Sequence, residues 1–326
     1  MVRDTYWDSL KFLLIFLVVY GHVLTIDYAP LSVNRGVFNF IFLFHMPLFI
    51  FISGRFSQLR DRKRYLEGIG RLIETYVVFQ ILHIIARYFM HRGVFTLEHI
   101  LVYPEMTMWY LQCLVYWRLL IYFMPQSSTW SKNNVVGVIF VSFVISLLAG
   151  YLPFSREFSI QRACSYLPFF MMGFYSHRID IRGLLNRLPS SVAYATIAIV
   201  FGIILFYFNG SYKFLTGAIP YSASGDLLVR LGCMVAAMII SISVMRIAPN
   251  NKRFAEWGKV TLFVYMYHLF FEAVLKIVVH KGYLPSGVIP IFLYSVLLTL
   301  LLVWASKYKL FNMVMNPVTY YLKRRT

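Results

Sequence analysis

Acidic residues are scarce in this chain: 13 Asp and Glu stand against 31 Lys and Arg, a formal net charge of +18. Charge of either sign is thin, at 13% of 326 residues, too little polar surface to solvate a soluble protein of this length. Cysteine is scarcer still. Cys113, Cys164 and Cys233 are odd in number and lack metal-ligand spacing, which excludes a disulfide scaffold and leaves them as small core residues. No tandem repeat, low-complexity tract, glycine-rich phosphate loop or nucleotide fingerprint occurs, so nothing supports ATP-driven chemistry. Neither a metal site nor a bound cofactor is expected.

What the chain has instead is apolar length. Hydrophobic residues make up 60% of it and aromatics 18%, and runs of roughly 20 apolar residues recur from end to end, the length that spans a bilayer as a helix. The expected fold is all-α and polytopic, with about ten transmembrane helices near 9–27, 37–56, 73–91, 106–124, 134–152, 163–177, 190–208, 226–247, 260–280 and 288–306. No segment between them is long enough to form a domain, so residues 1–326 read as one transmembrane domain. The first apolar run carries Lys11 and His22 and is followed by no small-residue cleavage site, which marks a retained helix rather than a signal peptide.

The positive charge is explained first by topology. With the N-terminus inside, about 20 Lys and Arg fall on the cytoplasmic side and 6 on the other, while Lys11, Arg87, Arg118, Arg230 and Lys276 lie within spans. Both termini are therefore expected in the cytoplasm, and nucleic acid is not an expected partner. The most basic stretch, 60–71, joins the second and third spans on that side. It reads as a positive-inside anchor or as a rim for a multiply phosphorylated ligand. The outer loops at 91–99 and 209–226 mix polar and aromatic residues and read either as plain connectors or as surfaces for a glycan.

Ionisable groups inside the spans carry the functional signal, because each is costly in hydrocarbon. Lys11 and His22 are eleven residues apart, about three turns, which puts them on one helix face roughly 16 Å apart along the axis. His22 and His45 fall at similar depths on the outer side of the first two spans, so antiparallel neighbours would bring the imidazoles together. Histidine is well suited to take a proton from a hydroxyl near neutral pH; a hydrogen bond between two helices is the structural alternative. Pro47, two residues past His45, interrupts the backbone ladder. In the ninth span His268, Glu272 and Lys276 step by four and form one polar stripe. His83 with Arg87, Arg118, and Asp226 with Arg230 have spacings suited to local pairing. Trp109 falls among the aromatics expected at a membrane interface.

The order of these segments is specific. Asp8-Ser9-Leu10-Lys11 with ten residues to His22, Phe44-His45-Met46-Pro47 running to Ser53-Gly54, a basic loop ending in Arg71-Leu72, Met108-Trp109-Tyr110-Leu111, Tyr166-Leu167-Pro168-Phe169, and Tyr265-Met266-Tyr267-His268 together resemble the membrane-bound acyltransferase 3 family, closest to its fucose 4-O-acetylase-like branch. The resemblance covers nearly the whole chain. It departs at Glu74-Thr75-Tyr76, where a proline before the tyrosine is usual.

The resemblance implies a multi-pass protein of the bacterial cytoplasmic (inner) membrane that carries an acyl group, acetyl by default, from acyl-CoA to a sugar hydroxyl of a surface polysaccharide, lipopolysaccharide or exopolysaccharide. His22 matches the family's essential histidine and His45 the second-helix motif. Lys11 and Arg71 match its basic positions, and with Arg55 and Arg64 they would meet CoA phosphates. Trp109, His268 and Glu272 are candidates for lining the acceptor cavity. The competing readings are a transporter or flippase of a lipid-linked or small anionic substrate, which would also use ten helices, buried basic residues and a central cavity, and a scaffold within a glycan-assembly complex, which has no need of Lys11 and His22 in register.

Overall fold

The computed structural model describes residues 4–27, 29, 32–90, 96–124, 131–207 and 213–322; residues 91–95 and 208–212 of the two outer loops lie outside this set. Sixteen α-helices cover most of the described residues, and no strand occurs among them. They are α1 (Thr5–Val23), α2 (Val33–Arg55), α3 (Arg62–Phe89), α4 (Leu97–Val102), α5 (Trp109–Phe123), α6 (Lys132–Leu148), α7 (Ile160–Tyr175) and α8 (Ile181–Asn186), then α9 (Ser190–Tyr207), α10 (Lys213–Thr216), α11 (Asp226–Ile247), α12 (Lys252–Gly258), α13 (Thr261–His280), α14 (Val288–Ala305), α15 (Lys309–Met315) and α16 (Pro317–Leu322).

Each of the ten apolar segments expected from the sequence contains a helix, and the protein is an all-α polytopic membrane protein. Seven helices are long and apolar enough to cross a membrane: α1, α2, α3, α6, α11, α13 and α14. The other three apolar segments are shorter, 15 residues in α5, 16 in α7 and Ser190–Phe206 in α9. Two of these are cut short by left-handed backbone just before them. Met106 has φ of 43° ahead of α5, and Phe158 and Ser159 have φ of 46° and 54° ahead of α7. An α-helix cannot propagate through such residues.

The chain divides into two compact units. The first comprises Met1–Ile52, Ile179–Leu215 and Leu231–Lys307. At its centre is α1, whose Leu10, Leu14, Ile15 and Val19 are fully buried. Lipid tails are as apolar as these side chains, so such packing is driven by close contact rather than by escape from water. The contact with α12 shows how close: a Cβ on Gly258 would sit 1.8 Å from the Asp8 carbonyl oxygen. Ser9 Oγ donates to the Asn251 carbonyl at 2.8 Å and accepts from Asn251 N–H at 3.1 Å. The Asn251 side chain in turn caps α12. Phe12 packs against Phe254 and Trp257. The short motif from Asp8 to Lys11 is thus first a docking site for α12.

The second unit comprises Ser53–Arg178, Thr216–Arg230 and Tyr308–Thr326. Here the last turn of α2 meets α7 backbone to backbone, because a Cβ on Gly54 would sit 2.1 Å from the Phe170 carbonyl oxygen. Polar side chains within this unit close onto backbone carbonyls, which bilayer-embedded groups require. Trp117 Nε1 donates to Ala163, Ser146 Oγ to Ser165, and Arg230 Nη1 to Ser146. Asp226, expected to pair with Arg230, instead accepts from the backbone of Ser222 and Ala223 at the start of α11. Its position at the helix N-terminus favours that capping geometry. Glu74 accepts from the N–H groups of Val318 and Thr319 and from the Thr319 hydroxyl, tying α3 to α16. The residue standing beside the family's usual proline therefore anchors the C-terminal helices.

Candidate functional site

Within the first unit α1 and α13 lie side by side. His22 faces His268 with ring centroids 5.1 Å apart, and one turn further Thr25 faces Glu272. Both pairs advance in the same chain direction, so the two helices run parallel here. The polar stripe of α13 thereby meets the histidine end of the Lys11 to His22 stripe, and this juxtaposition is the centre of the candidate site.

The three histidines differ in what holds them. His268 has no solvent-accessible surface, and its Nδ1 lies 2.8 Å from the Tyr265 carbonyl. A carbonyl only accepts, so Nδ1 carries the proton and the lone pair is on Nε2. His45, on α2, is likewise buried, with Nδ1 at 2.6 Å from the Ile41 carbonyl and the same tautomer. His22 is different: between buried Gly21 and Val23, the residue is only partly buried. Of the three it is the one left partly open.

Phe42 joins the group, its ring 6.0 Å from that of His22 and 4.8 Å from that of His45, edge to face in both cases. Phe42 thus borders both His22 and His45, and His268 is a direct ring neighbour of His22. The Thr25 hydroxyl donates to the His22 carbonyl at 2.7 Å and lies 3.4 Å from Glu272 Oε1. It has one proton, and the shorter bond takes it.

At the other end of α1, Lys11 Nζ lies 3.2 Å from Asp8 Oδ1, one turn away, with Asp8 buried and Lys11 partly open. Between Lys11 and His22 on the same face, Leu14, Ile15 and Val18 are all buried.

A second basic assembly belongs to the second unit. Gly68 on α3 leaves open a place that Arg118 Nη1 approaches to 3.5 Å and Arg71 Nη2 to 4.0 Å, so two guanidinium groups converge on one point. Arg118 also lies over the Tyr65 ring at 5.8 Å, and its Nε points at Ser57 Oγ from 3.4 Å. Two like charges drawn together favour an anion between them. Arg118, assigned to local pairing on its spacing alone, is thus a functional candidate that sequence reasoning missed. Of the other basic residues in this unit, Arg55 donates to the carbonyl and hydroxyl of Ser176, holding the ends of α2 and α7 together. The Arg64 side chain is exposed in the first turn of α3, next to its capping residue Asp61.

Trp109 opens α5 and is stacked on Tyr166 at 5.6 Å, with the Arg162 guanidinium 4.8 Å from its ring. Nearby in chain order, Glu105 is buried against Arg87 at 2.8 Å, and Arg87 also reaches His99 Nε2 at 2.8 Å. Arg87, expected to pair locally with His83, thus makes a longer-range ion pair with Glu105. Burial pushes the Glu105 carboxyl above its ordinary range, more than Arg87 and then His99 pull it down.

Among the described residues no group of three or more His, Cys, Asp or Glu is arranged to hold a metal ion. No curated protein and no solved structure matches the chain. A family model described as an acyltransferase domain, that of acyltransferase 3, matches residues 4–308, and this chain, a membrane acyltransferase, belongs to that family.

Proposed function

We propose that the protein transfers an acyl group, acetyl by default, from acyl-CoA to a sugar hydroxyl of a cell-surface or exported glycan, as a ten-span protein of the bacterial cytoplasmic membrane with both termini inside. One observation carries the reading: His22, on a helix long and apolar enough to span a bilayer, is left partly open while its ring neighbour His268 is sealed and held in one tautomer. A structural histidine joining two helices has no need of that opening.

In this mechanism a nitrogen of the His22 imidazole takes the proton of the acceptor hydroxyl as its oxygen attacks the thioester carbonyl. The new C–O bond forms, the C–S bond breaks, and the departing CoA thiolate recovers a proton from the His22 imidazolium. His268, packed against His22, fixes the orientation of that ring, and His45 with Phe42 forms the opposite wall. Lys11 offers a CoA phosphate a point charge; within the second unit, Arg71 and Arg118 offer planar forks suited to phosphate. Arg55 and Arg64 have lesser parts, since Arg55 is engaged with Ser176. Trp109 and Glu272 each stand as acceptor-side residues of a fucose 4-O-acetylase-like enzyme.

The test is acyl-CoA-dependent transfer in membranes, read as acetyl content of the glycan by mass spectrometry. His22→Ala is expected to lower turnover by about 10²- to 10⁴-fold, the usual contribution of a general base, with the variant still folded in the membrane. Full activity of that variant would remove the reading.

A further inference from the structure

A cavity of about 170 Å³ opens in the first unit, away from the histidine cluster. Its walls include Tyr6, Arg182, Asn186, Met245, Arg246 and Asn250. Tyr6 is in the first turn of α1 and Met245 and Arg246 in the last turn of α11, two helices long and apolar enough to span a bilayer. The cavity thus lies where two such helices end, the depth of lipid headgroups.

The polar walls are held in place. Tyr6 Oη donates to the Met245 carbonyl at 2.6 Å. Arg246 Nε donates to the Leu188 carbonyl at 2.6 Å, a bond that engages one of its five N–H donors and orients the planar head. The Arg182 guanidinium lies 5.1 Å over the Tyr6 ring. Asp4, an exposed carboxylate 4.0 Å from Arg182 Nη1, already caps α1 by accepting from Tyr6 N–H. Two guanidinium forks and two amide side chains around one concavity match a tetrahedral oxyanion. The volume holds several waters at about 30 Å³ each, or one phosphate with its ester arm.

We propose that this cavity is a phosphate-ester site, with Arg182 and Arg246 on the phosphate oxygens and the amides of Asn186 and Asn250 on the remainder. Basic pockets between helix ends at headgroup depth bind anionic lipids, and the depth points to a phospholipid as the carrier. The site does not depend on the acyl-transfer reading, since none of its residues belongs to the histidine cluster or to the Arg71 and Arg118 pair.

The experiment uses the purified full-length protein in detergent. Native mass spectrometry and thermal melts are recorded with phosphatidylglycerol, with phosphatidylcholine, and with coenzyme A or inorganic phosphate. The variants are Arg182→Gln with Arg246→Gln and, because Arg246 also holds Leu188, Asn186→Asp, which adds a negative charge at an exposed position and leaves the Arg246–Leu188 bond in place. Wild type is expected to retain phosphatidylglycerol about tenfold better than phosphatidylcholine, with that preference lost in both variants, as removal of charge-assisted contacts entails. Retention of coenzyme A or phosphate alone, again lost in the variants, keeps the site and makes its ligand soluble. Equal retention of every probe by wild type and by Asn186→Asp overturns the proposal.

Discussion

Lys11 and Asp8 lie one turn apart on α1, and that spacing was readable in the sequence even though Lys11 first stands out for its register with His22. The pair gives Lys11 a structural duty in addition to any toward CoA, because it neutralises a buried carboxylate. The two duties separate experimentally. Lys11→Met is expected to destabilise the protein by about 1–3 kcal/mol, as loss of a charged hydrogen-bond partner does. Asp8→Asn in the same chain should restore most of that stability in a thermal melt. If Lys11 also meets CoA phosphate, acyl transfer in the double variant stays low with a raised KM for acyl-CoA; recovery of activity along with stability would leave only the structural duty. His268 makes the opposite point about legibility. Its stripe with Glu272 was visible as a four-residue step, but its partner lies on the first helix, and nothing local in sequence specifies a contact of that separation.

At the scale of elements, the helices were legible because apolar runs of spanning length are hard to read otherwise. Their ends were less so. The starts of α5 and α7 are set by left-handed residues at Met106, Phe158 and Ser159, and none of these is a glycine that would advertise the turn. Close helix contacts were equally hidden, since a glycine inside an apolar run looks like any other small residue. Gly258 and Gly54 each bring a helix onto a neighbouring backbone that cannot yield as a flexible side chain would. Gly258→Ala and Gly54→Ala are therefore expected to cost at least the ~1–3 kcal/mol of ordinary overpacking, measured as lowered melting temperature in detergent. Alanine at Gly70, where nothing lies within 4 Å, is the neutral control.

The segment before α5 should also respond to pH. Glu105 has its folded pKa raised above the ordinary 4.5, with burial the largest cause. A carboxyl of this kind takes up a proton on folding, so its contribution to stability is complete below 4.5 and is lost as pH rises through the raised value. Glu105→Gln, which cannot ionise, should flatten that fall. Melts of the two proteins over the acid range check it, and identical pH profiles would show that Glu105 does not titrate there.

For the molecule as a whole, the asymmetry of Lys and Arg is the strongest global statement in the sequence, and it predicts which side each exposed cation occupies. In a background with Cys113, Cys164 and Cys233 changed to serine, Lys281→Cys should react with a membrane-impermeant maleimide added to intact cells, and Lys252→Cys only after the cells are opened. The reverse pattern would invert the proposed orientation. Composition could not reveal the division of the chain into two units, because each is assembled from three separate stretches. The family was legible because its motifs are spread along the entire chain, and the match over residues 4–308 agrees with that spread.

The parallel pairing of α1 with α13 also bears on how the protein is made. His22 leaves the ribosome about 250 residues before His268, an interval of roughly ten to fifty seconds at ordinary elongation rates. Throughout that interval the first helix carries Asp8, Lys11 and His22 without α12 or α13 to cover them, so the newborn chain must shelter its most polar span until its final quarter arrives.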